Sequence, residues 1–341
     1  MNDSRVWILG LALLCKQALA ADPLNTPAYP AERLDRVLFA DITQAGDKLV
    51  AVGDRGVIVK GDDAGWQQQM SPVASLLTKV SFLDASTGFA VGHDATILQT
   101  RDGGVSWQIR HREPELQRPL LDVLFLSEHE GIAIGAYGLF LRTTDGGASW
   151  QRELHQGFLS ADDQAYLDEV KESSEEDYRY ELDGMLPHLN AVARDGQGRL
   201  LLAGEMGLVA LSEDDGKSWQ RLDSGYQGSF FTVTAVDDGQ WLVGGLRGNL
   251  YRSDDNGNSW NRLRFDGQAT INSLDRQANG QILMTGNDGS VFVSHDGGYF
   301  FLPLAREVAG LTLAAQQQGN TLVVATEQGI KTLSTDNKET P

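Results

Sequence analysis

The chain has 341 residues, of which 47 are acidic and 28 basic, giving a net charge of −19 with 41% hydrophobic residues. That length supports a sizeable core, while the acidic excess excludes electrostatic capture of nucleic acid or of an anionic membrane surface. The single cysteine, Cys15, excludes a disulfide framework.

The first element is a targeting segment. Arg5 supplies a positive start, Val6 to Cys15 is nearly all apolar, and Ala18-Leu19-Ala20 offers a small-x-small cleavage site. Residues 1–20 therefore read as a cleaved signal peptide, with a mature start at Ala21. The apolar run is too short to cross a bilayer as a helix. A lipoprotein reading of Cys15 is disfavoured by Leu14 before it, where a small residue belongs. The expected location is the periplasm, with secretion as the alternative and no membrane insertion after cleavage.

From Leu34 onward the chain repeats. Seven segments align, each running from an apolar strand through a Gly-containing turn into a second strand: 51–63, 90–102, 133–145, 202–214, 242–254, 283–296 and 323–336. The Asp markers at 62, 102, 145, 214, 255, 296 and 336 are spaced by about 41 residues, with one gap longer by about 27. The apolar runs are short, rich in β-branched residues and separated by Gly, Asp and Asn, so they read as strands. A period of this length with four strands per unit predicts an all-β, seven-bladed β-propeller of four-stranded antiparallel blades, covering residues 21–336.

Within the repeat, Thr100-Arg101-Asp102-Gly103-Gly104-Val105-Ser106-Trp107 recurs at Thr143–Trp150, Ser212–Trp219 and Ser253–Trp260. The Asp side chain accepts from nearby backbone N–H groups, Gly supplies positive φ, and the Ser/Thr hydroxyl adds a local bond. The Trp anchors the start of the next strand. This motif resembles the Asp-box, or bacterial neuraminidase repeat, which implies a structural fold-back between the third and fourth strands of each blade. The structural residues of these turns are Asp102, Trp107, Asp145, Trp150, Asp214, Trp219, Asp255, Trp260 and Asp296. The first, sixth and seventh copies are degenerate. The sixth has Phe300-Phe301 in place of Ser-Trp, and the seventh ends in Ser334-Thr335-Asp336 before a polar tail, 337–341. The seventh unit thus lacks a fourth strand. A segment within 22–36 is expected to supply it, with Pro23, Pro27 and Pro30 tolerable on an outer edge.

The long gap contains an insertion, 154–188, between blades three and four. It carries ten acidic residues against Lys171 and Arg179. Ser160 and Asp163 suggest a helix start, so a short helix followed by an acidic loop with Tyr178 and Tyr180 is predicted. It is either a solvated excursion or a lid or docking element. As a between-blade connection, it shares a rim with the turns joining strands two and three. Those turns carry Arg55, His93, Tyr137, Glu205, Arg247 and Asn287. The linker 224–231 brings Tyr226 and Phe230 to the same rim with unusual aromatic content. This rim is the expected binding face, with Tyr178 and Tyr180 contributed by the insertion.

The repeated Gly-x-x-Gly-x-apolar-x-x-Ser/Thr-x-Asp-Gly-Gly-x-Ser-Trp unit is similar to the photosystem II stability/assembly factor family and its bacterial relatives, over nearly the whole mature chain. The resemblance implies a seven-bladed, non-catalytic scaffold or assembly factor for a membrane protein complex. Some non-photosynthetic members accompany exporters of the resistance-nodulation-division type. Photosynthetic members are associated with an arginine patch. Here Arg55 and Arg247 are the only arginines in the two-to-three turns and the insertion is acidic, which points to a non-photosynthetic member. The expected partner is a protein, a membrane complex or transporter, engaged by a monomer.

The alternatives are a glycan- or ligand-binding module and a sialidase-type glycosidase. A glycosidase needs a positioned carboxylate pair or a Tyr nucleophile, and arginines for a substrate carboxylate. No local pattern groups such residues, and the Asp-box aspartates are committed to their turns. Asp254-Asp255-Asn256-Gly257-Asn258 resembles a calcium loop without its twelfth-position acid. The six histidines (93, 111, 129, 155, 188 and 295) form no ligand pair at metal-site spacing, and no phosphate-cradling loop opens a helix. No catalytic residue, cofactor or metal is expected.

Overall fold

The computed structural model describes residues 26–334 except 63, 306, 307 and 309. The signal peptide 1–20 and the tail 337–341 lie outside the described residues. Seven antiparallel sheets form a β-propeller, each with strands in sequence order: residues 39–69, 77–111, 120–152, 189–222, 230–263, 271–305 and 312–334. Among the described residues, six sheets have four strands and the seventh has three.

Strand sequence explains the packing. The second strand of each blade is buried on both faces, as in Gly88–Gly92, Gly131–Gly135 and Leu200–Gly204. Such strands read as continuous apolar runs rather than alternating ones. Most of them end in glycine for a steric reason. A Cβ at Gly92 would lie 2.1 Å from the Leu76 carbonyl oxygen, and one at Gly135 2.1 Å from that of Pro119.

The first strands line a central channel, with a cavity of about 310 Å³ among them. Each starts with a β-bulge, and the blades are tied together there. The Val80 N–H donates to Asp41 at 2.9 Å, Thr78 Oγ1 to the Leu120 carbonyl at 2.7 Å, and the Val192 N–H to Asp122 at 2.9 Å. Asn190 Nδ2 donates to the Phe230 carbonyl at 2.6 Å, the Leu274 N–H to Thr232 Oγ1 at 3.0 Å, and Asn272 Nδ2 to the Thr312 carbonyl at 2.8 Å. These six links join blades one through seven in order. At the seam from blade seven back to blade one, the equivalent positions are Leu313 and Ala314, whose side chains have no polar atom. The seam is apolar instead. Phe39, Ile42, Leu49 and Val59 pack with Ala314, Val323 and Ala325, joined by Ala31, Leu34, Val37 and Ile330.

Residues 22–25 of the expected closing segment lie outside the described residues, and 26–36 form no strand. Residues 34–36 form a 3-10 turn, and the Gly329 N–H donates to the Val37 carbonyl at 2.9 Å. Upstream, the Ala31 N–H donates to Gln68 Oε1 at 2.7 Å and the Ala28 N–H to the Ser71 carbonyl at 3.1 Å. The segment therefore turns away from blade seven and follows blade one, covering the seam with apolar side chains rather than adding a strand.

The insertion forms two helices, α1 (Ala161–Ser173) and α2 (Glu175–Met185), not one helix and a loop. The Asp163 N–H donates to Ser160 Oγ at 3.2 Å and the Asp177 N–H to Ser174 Oγ at 3.1 Å, so each helix has its own N-cap. The predicted loop is helical because Ser174 restarts the chain with Glu175, Glu176 and Asp177 in the favourable first turn. The insertion is not a solvated excursion. Phe158, Leu159, Leu167, Leu182 and Leu186 are buried in one core with Phe140, Leu189, Leu208 and Trp219 of blades three and four. No helix among the described residues is long and apolar enough to cross a membrane.

Candidate functional site

The rim of the third-to-fourth-strand turns is occupied by self-satisfied structure. Asp102 accepts Thr100 Oγ1 at 2.8 Å, the Ser106 N–H at 2.9 Å and Ser106 Oγ at 2.6 Å. Asp145, Asp214 and Asp255 repeat this set with Ser149, Ser218 and Ser259. Asp296 accepts from Ser294 Oγ and the Phe300 N–H. Partial burial pushes Asp102 and Asp214 upward, but bonds from Ser106 and Ser218 outweigh it and hold both down to about 2. The Ser149 bonds likewise hold Asp145 at about 2. Trp107, Trp150 and Trp219 are buried and Trp260 half-buried behind these turns, and Phe301 is buried at the Trp position of blade six.

The channel carries charge of its own. Lys79 Nζ lies 3.3 Å from Asp41. Burial pushes the Asp41 carboxyl up to about 6 and raises Asp122 as well. Burial alone would lower Lys79, but Asp41, Asp122 and Asp275 outweigh it and raise it. Asp41 and Asp122 each accept an N–H of the next blade, so both are committed to holding the ring. No cluster of three or more metal-ligating side chains occurs among the described residues.

The opposite rim is built differently. Its turns force four large side chains into the left-handed region: Arg55 (φ 53°), Tyr137 (φ 53°), Met206 (φ 55°) and Arg247 (φ 55°). This conformation costs a non-glycine residue about 1 kcal/mol or more. Glycine would avoid that cost, so the side chains are held against a local preference. All four are exposed, Met206 to 65% and Tyr137 to 55%. His93 and Asn287 are exposed beside them, and Glu205 is half-buried near His188.

The insertion is fastened to this rim. Asp183 of α2 accepts both Arg118, at 2.6 Å, and Arg152. Arg118 also donates to the Tyr137 carbonyl, and the Tyr137 ring meets the edge of His188 at 4.4 Å. Tyr180 is 80% exposed, whereas Tyr178 is half-buried, donates to Gln156 Oε1 at 3.0 Å and lies under Lys171. Two expected surface aromatics are structural. Phe230 is fully buried and cannot contact a partner, because it opens the first strand of blade five as a core residue. Tyr226 is half-buried on Phe230 and Tyr251, and its hydroxyl accepts from Asn249 at 3.2 Å.

The structure adds two arginines that local turn reading missed. Arg262, from the fourth strand of blade five (Asn261–Leu263), and Arg264, from the linker after it, join Arg247 around a cleft of about 510 Å³. Leu263, Phe265 and Gln268 complete its wall. All three arginines are exposed, and none forms an ion pair among the described residues. Arginines elsewhere on this rim are engaged: Arg112 holds Asp94 at 3.1 Å, and Arg221 donates to the Phe158 and Met206 carbonyls. In an acidic chain, three exposed forked donors around one apolar-backed cleft suit a carboxylate-bearing ligand.

The sequence matches the family described as photosynthesis system II assembly factor YCF48, over residues 58–165 and 113–312. It is 42% identical over 55 residues to a photosystem II assembly protein Ycf48 of Synechococcus sp. (strain JA-2-3B'a(2-13)), a stretch of 15% of this chain and 16% of that relative. A solved structure of YCF48 bound to a D1 peptide superposes with a TM-score of 0.65 at 18% identity, covering 92% of this chain and 96% of that one. YCF48 from Cyanidioschyzon merolae gives 0.64 at 16% identity, covering 90% and 98%. The WD40 propeller domain of Doa1 gives 0.64 at 12% identity, covering 92% and 97%, so at these identities the superpositions speak to the fold alone.

Proposed function

The chain belongs to the photosynthesis system II assembly factor YCF48 family, and on that premise we propose that it is a non-catalytic assembly factor that holds a segment of a membrane protein complex. The carrying observation is the cleft of Arg247, Arg262 and Arg264, which form no ion pair among the described residues, on a rim that also presents Arg55, Tyr137 and Met206. Strain kept at exposed side chains is a recognised mark of function. The solved relative bound to a D1 peptide supports a peptide as the ligand class. The client segment is extended and carries carboxylates, side-chain or C-terminal, to engage the three guanidiniums. Work in the periplasm after signal cleavage fits this reading, with α1 and α2 flanking the client on the same rim.

The test is crosslinking capture from cells, comparing the intact protein with an Arg262→Glu/Arg264→Glu variant and with an Asp102→Asn variant of the opposite rim. Capture of one membrane complex by the intact and Asp102→Asn proteins, lost with the arginine changes, supports the reading. The client's identity then separates a photosystem from an exporter of the resistance-nodulation-division type. Equal capture by all three proteins would remove the cleft from the interface.

A further inference from the structure

The repeat places one arginine in three successive blades. Arg152, Arg221 and Arg262 each stand two residues after the tryptophan of their Asp turn and pair across the sheet with Leu141, Ala210 and Tyr251. Those partners each lie two residues before the Ser or Thr that opens the same turn, so the three arginines share one register position. Blades two and six have Ile109 and Pro303 there. What meets each arginine differs. Arg262 stands in the open cleft of blade five. Arg221 is closed by backbone, donating to the Phe158 and Met206 carbonyls at 2.8 Å each. Arg152 meets a carboxylate, Asp183 of α2, which Arg118 also grips with a donor on each oxygen, at 2.6 and 3.1 Å. Phe158 and Asp183 both belong to the insertion. The insertion therefore occupies two of the three arginine positions, and at blade three it does so with the chemistry that suits the cleft of blade five.

Asp183 is not placed there by its own helix. It lies in the last turn of α2, where the unpaired carbonyls disfavour an acid. Gly184 beside it weakens the helix end further, and a Cβ at that position would meet nothing within 4 Å, so packing does not call for the glycine. One residue of α2, Leu182, is buried, and the Asp183 side chain keeps 29% of its surface exposed. We infer that Arg118 and Arg152 form a second carboxylate-binding site on this rim, and that Asp183 is its internal ligand, which leaves when an Asp or Glu side chain of the client binds. This rests on reading the arginine cleft as the client site. The ligand class is read from the occupant: the Arg118 fork matches both oxygens of one carboxylate, and Arg152 donates to one of them as well. A client with a single carboxylate engages blade five and leaves α2 closed. A client with a second one competes with Asp183, so the insertion sets which segments the rim holds at both places.

The probe is the peptide acetyl-Leu-Asp-Gly-Met-amide, which copies residues 182–185, titrated into the full-length protein. The side-chain Nε–Hε signals of Arg118 and Arg152 are followed by nuclear magnetic resonance. Every protein in the titration carries Arg262→Glu/Arg264→Glu, which removes the cleft of blade five, so the result does not depend on the client reading. With Asp183→Asn added, both signals should shift saturably with a Kd of about 1–10 mM. The parent with Asp183 in place should shift at least about tenfold less, as should the variant given the same peptide with asparagine for its aspartate. If Asp183→Asn also opens α2, the two arginines are the more accessible and the same shifts are expected. The second site is refuted if neither signal moves up to about 30 mM peptide, or if the asparagine peptide binds equally well. Displacement is tested in cells with the cleft intact: Asp183→Asn alone should raise crosslinking capture of the client by at least about threefold, because no internal carboxylate then has to leave. Unchanged capture would reduce Asp183 to a structural clasp. Capture of no client by either protein would sink the client reading and displacement with it, while the titration still decides the second site.

Discussion

Leu182→Ala in α2 separates a docked insertion from a fused one. Leu182 is 1% exposed and is the buried residue of α2, set in the core shared by Phe158, Leu167 and Leu186. Truncating a buried leucine removes its transfer free energy and leaves a cavity, about 3 kcal/mol in total. A helix of 11 residues is not stable alone in water, so α2 depends on this contact and on Asp183 held by Arg118 and Arg152. The blades keep their own interblade bonds, so the loss should stay local. Native-state hydrogen exchange should show amides of α2 opening about 100-fold faster, the equivalent of about 3 kcal/mol. Strands of blade one, across the ring, should keep their protection. Unchanged exchange in α2 would mean that Leu182 does not anchor it. Equal acceleration in every blade would mean that the insertion opens only with the whole ring, and the reasoning from local packing would be wrong.

Three further outcomes follow from the geometry. Asp214→Ala removes the acceptor for Ser212, Ser218 N–H and Ser218 Oγ; after discounting for its solvent exposure, it should cost about 1 kcal/mol. Because the Asp214 carboxyl is depressed to about 2, that contribution is present above pH 3.8 and is lost as pH falls through 2. Acid denaturation curves of the two proteins should therefore converge near pH 2. Asp41 has the opposite sign: with its value pushed up to about 6, its linked stability is complete below 3.8 and is lost as pH rises through 6. A carbon-13 titration of its carboxyl, which faces Lys79, Asp122 and Asp275, should show a midpoint near 6, and a midpoint near 4 would contradict its burial. Gly138→Ala places a Cβ 2.2 Å from Leu186 Cβ at a φ of +67°, and should destabilise the insertion by about 1–3 kcal/mol in thermal melts.

The blade count and the position of the insertion were legible because both rest on spacing. A turn that must satisfy its own N–H groups draws on few residue types, so Asp102, Asp145, Asp214, Asp255 and Asp296 mark the period clearly. What could not be read are the relations between distant residues. Phe230 looked like a loop aromatic because Gly228 and Ser229 precede it, yet the strand begins at Phe230 and the core claims it. Arg262 and Arg264 lie outside the turns, and only the pairing of the third and fourth strands of blade five, Leu250 opposite Leu263, brings them to Arg247. The helix α2 was hidden by its charge, since a single buried leucine anchors it. Blade seven did leave a trace: Thr326, where glycine closes the second strand of blades two to six, pairs directly with Gly329 across a turn one residue shorter than that between Gly92 and Thr96.

The seam between blades seven and one gives the molecule a clasp. Six junctions of the ring are tied by side-chain-to-backbone bonds, whereas this one relies on the apolar cluster covered by Ala31, Leu34 and Val37. Those residues emerge early in synthesis and meet Gly329 and Ile330, which emerge late. The ring therefore cannot lock until nearly all of it exists, and the exposed flank of blade one must wait through the making of six more blades. Such long-range closure slows folding and leaves apolar surface open in the interval. The same junction is where a pulled or heated ring should part first, opening into a curved ribbon of blades whose neighbours remain stitched together.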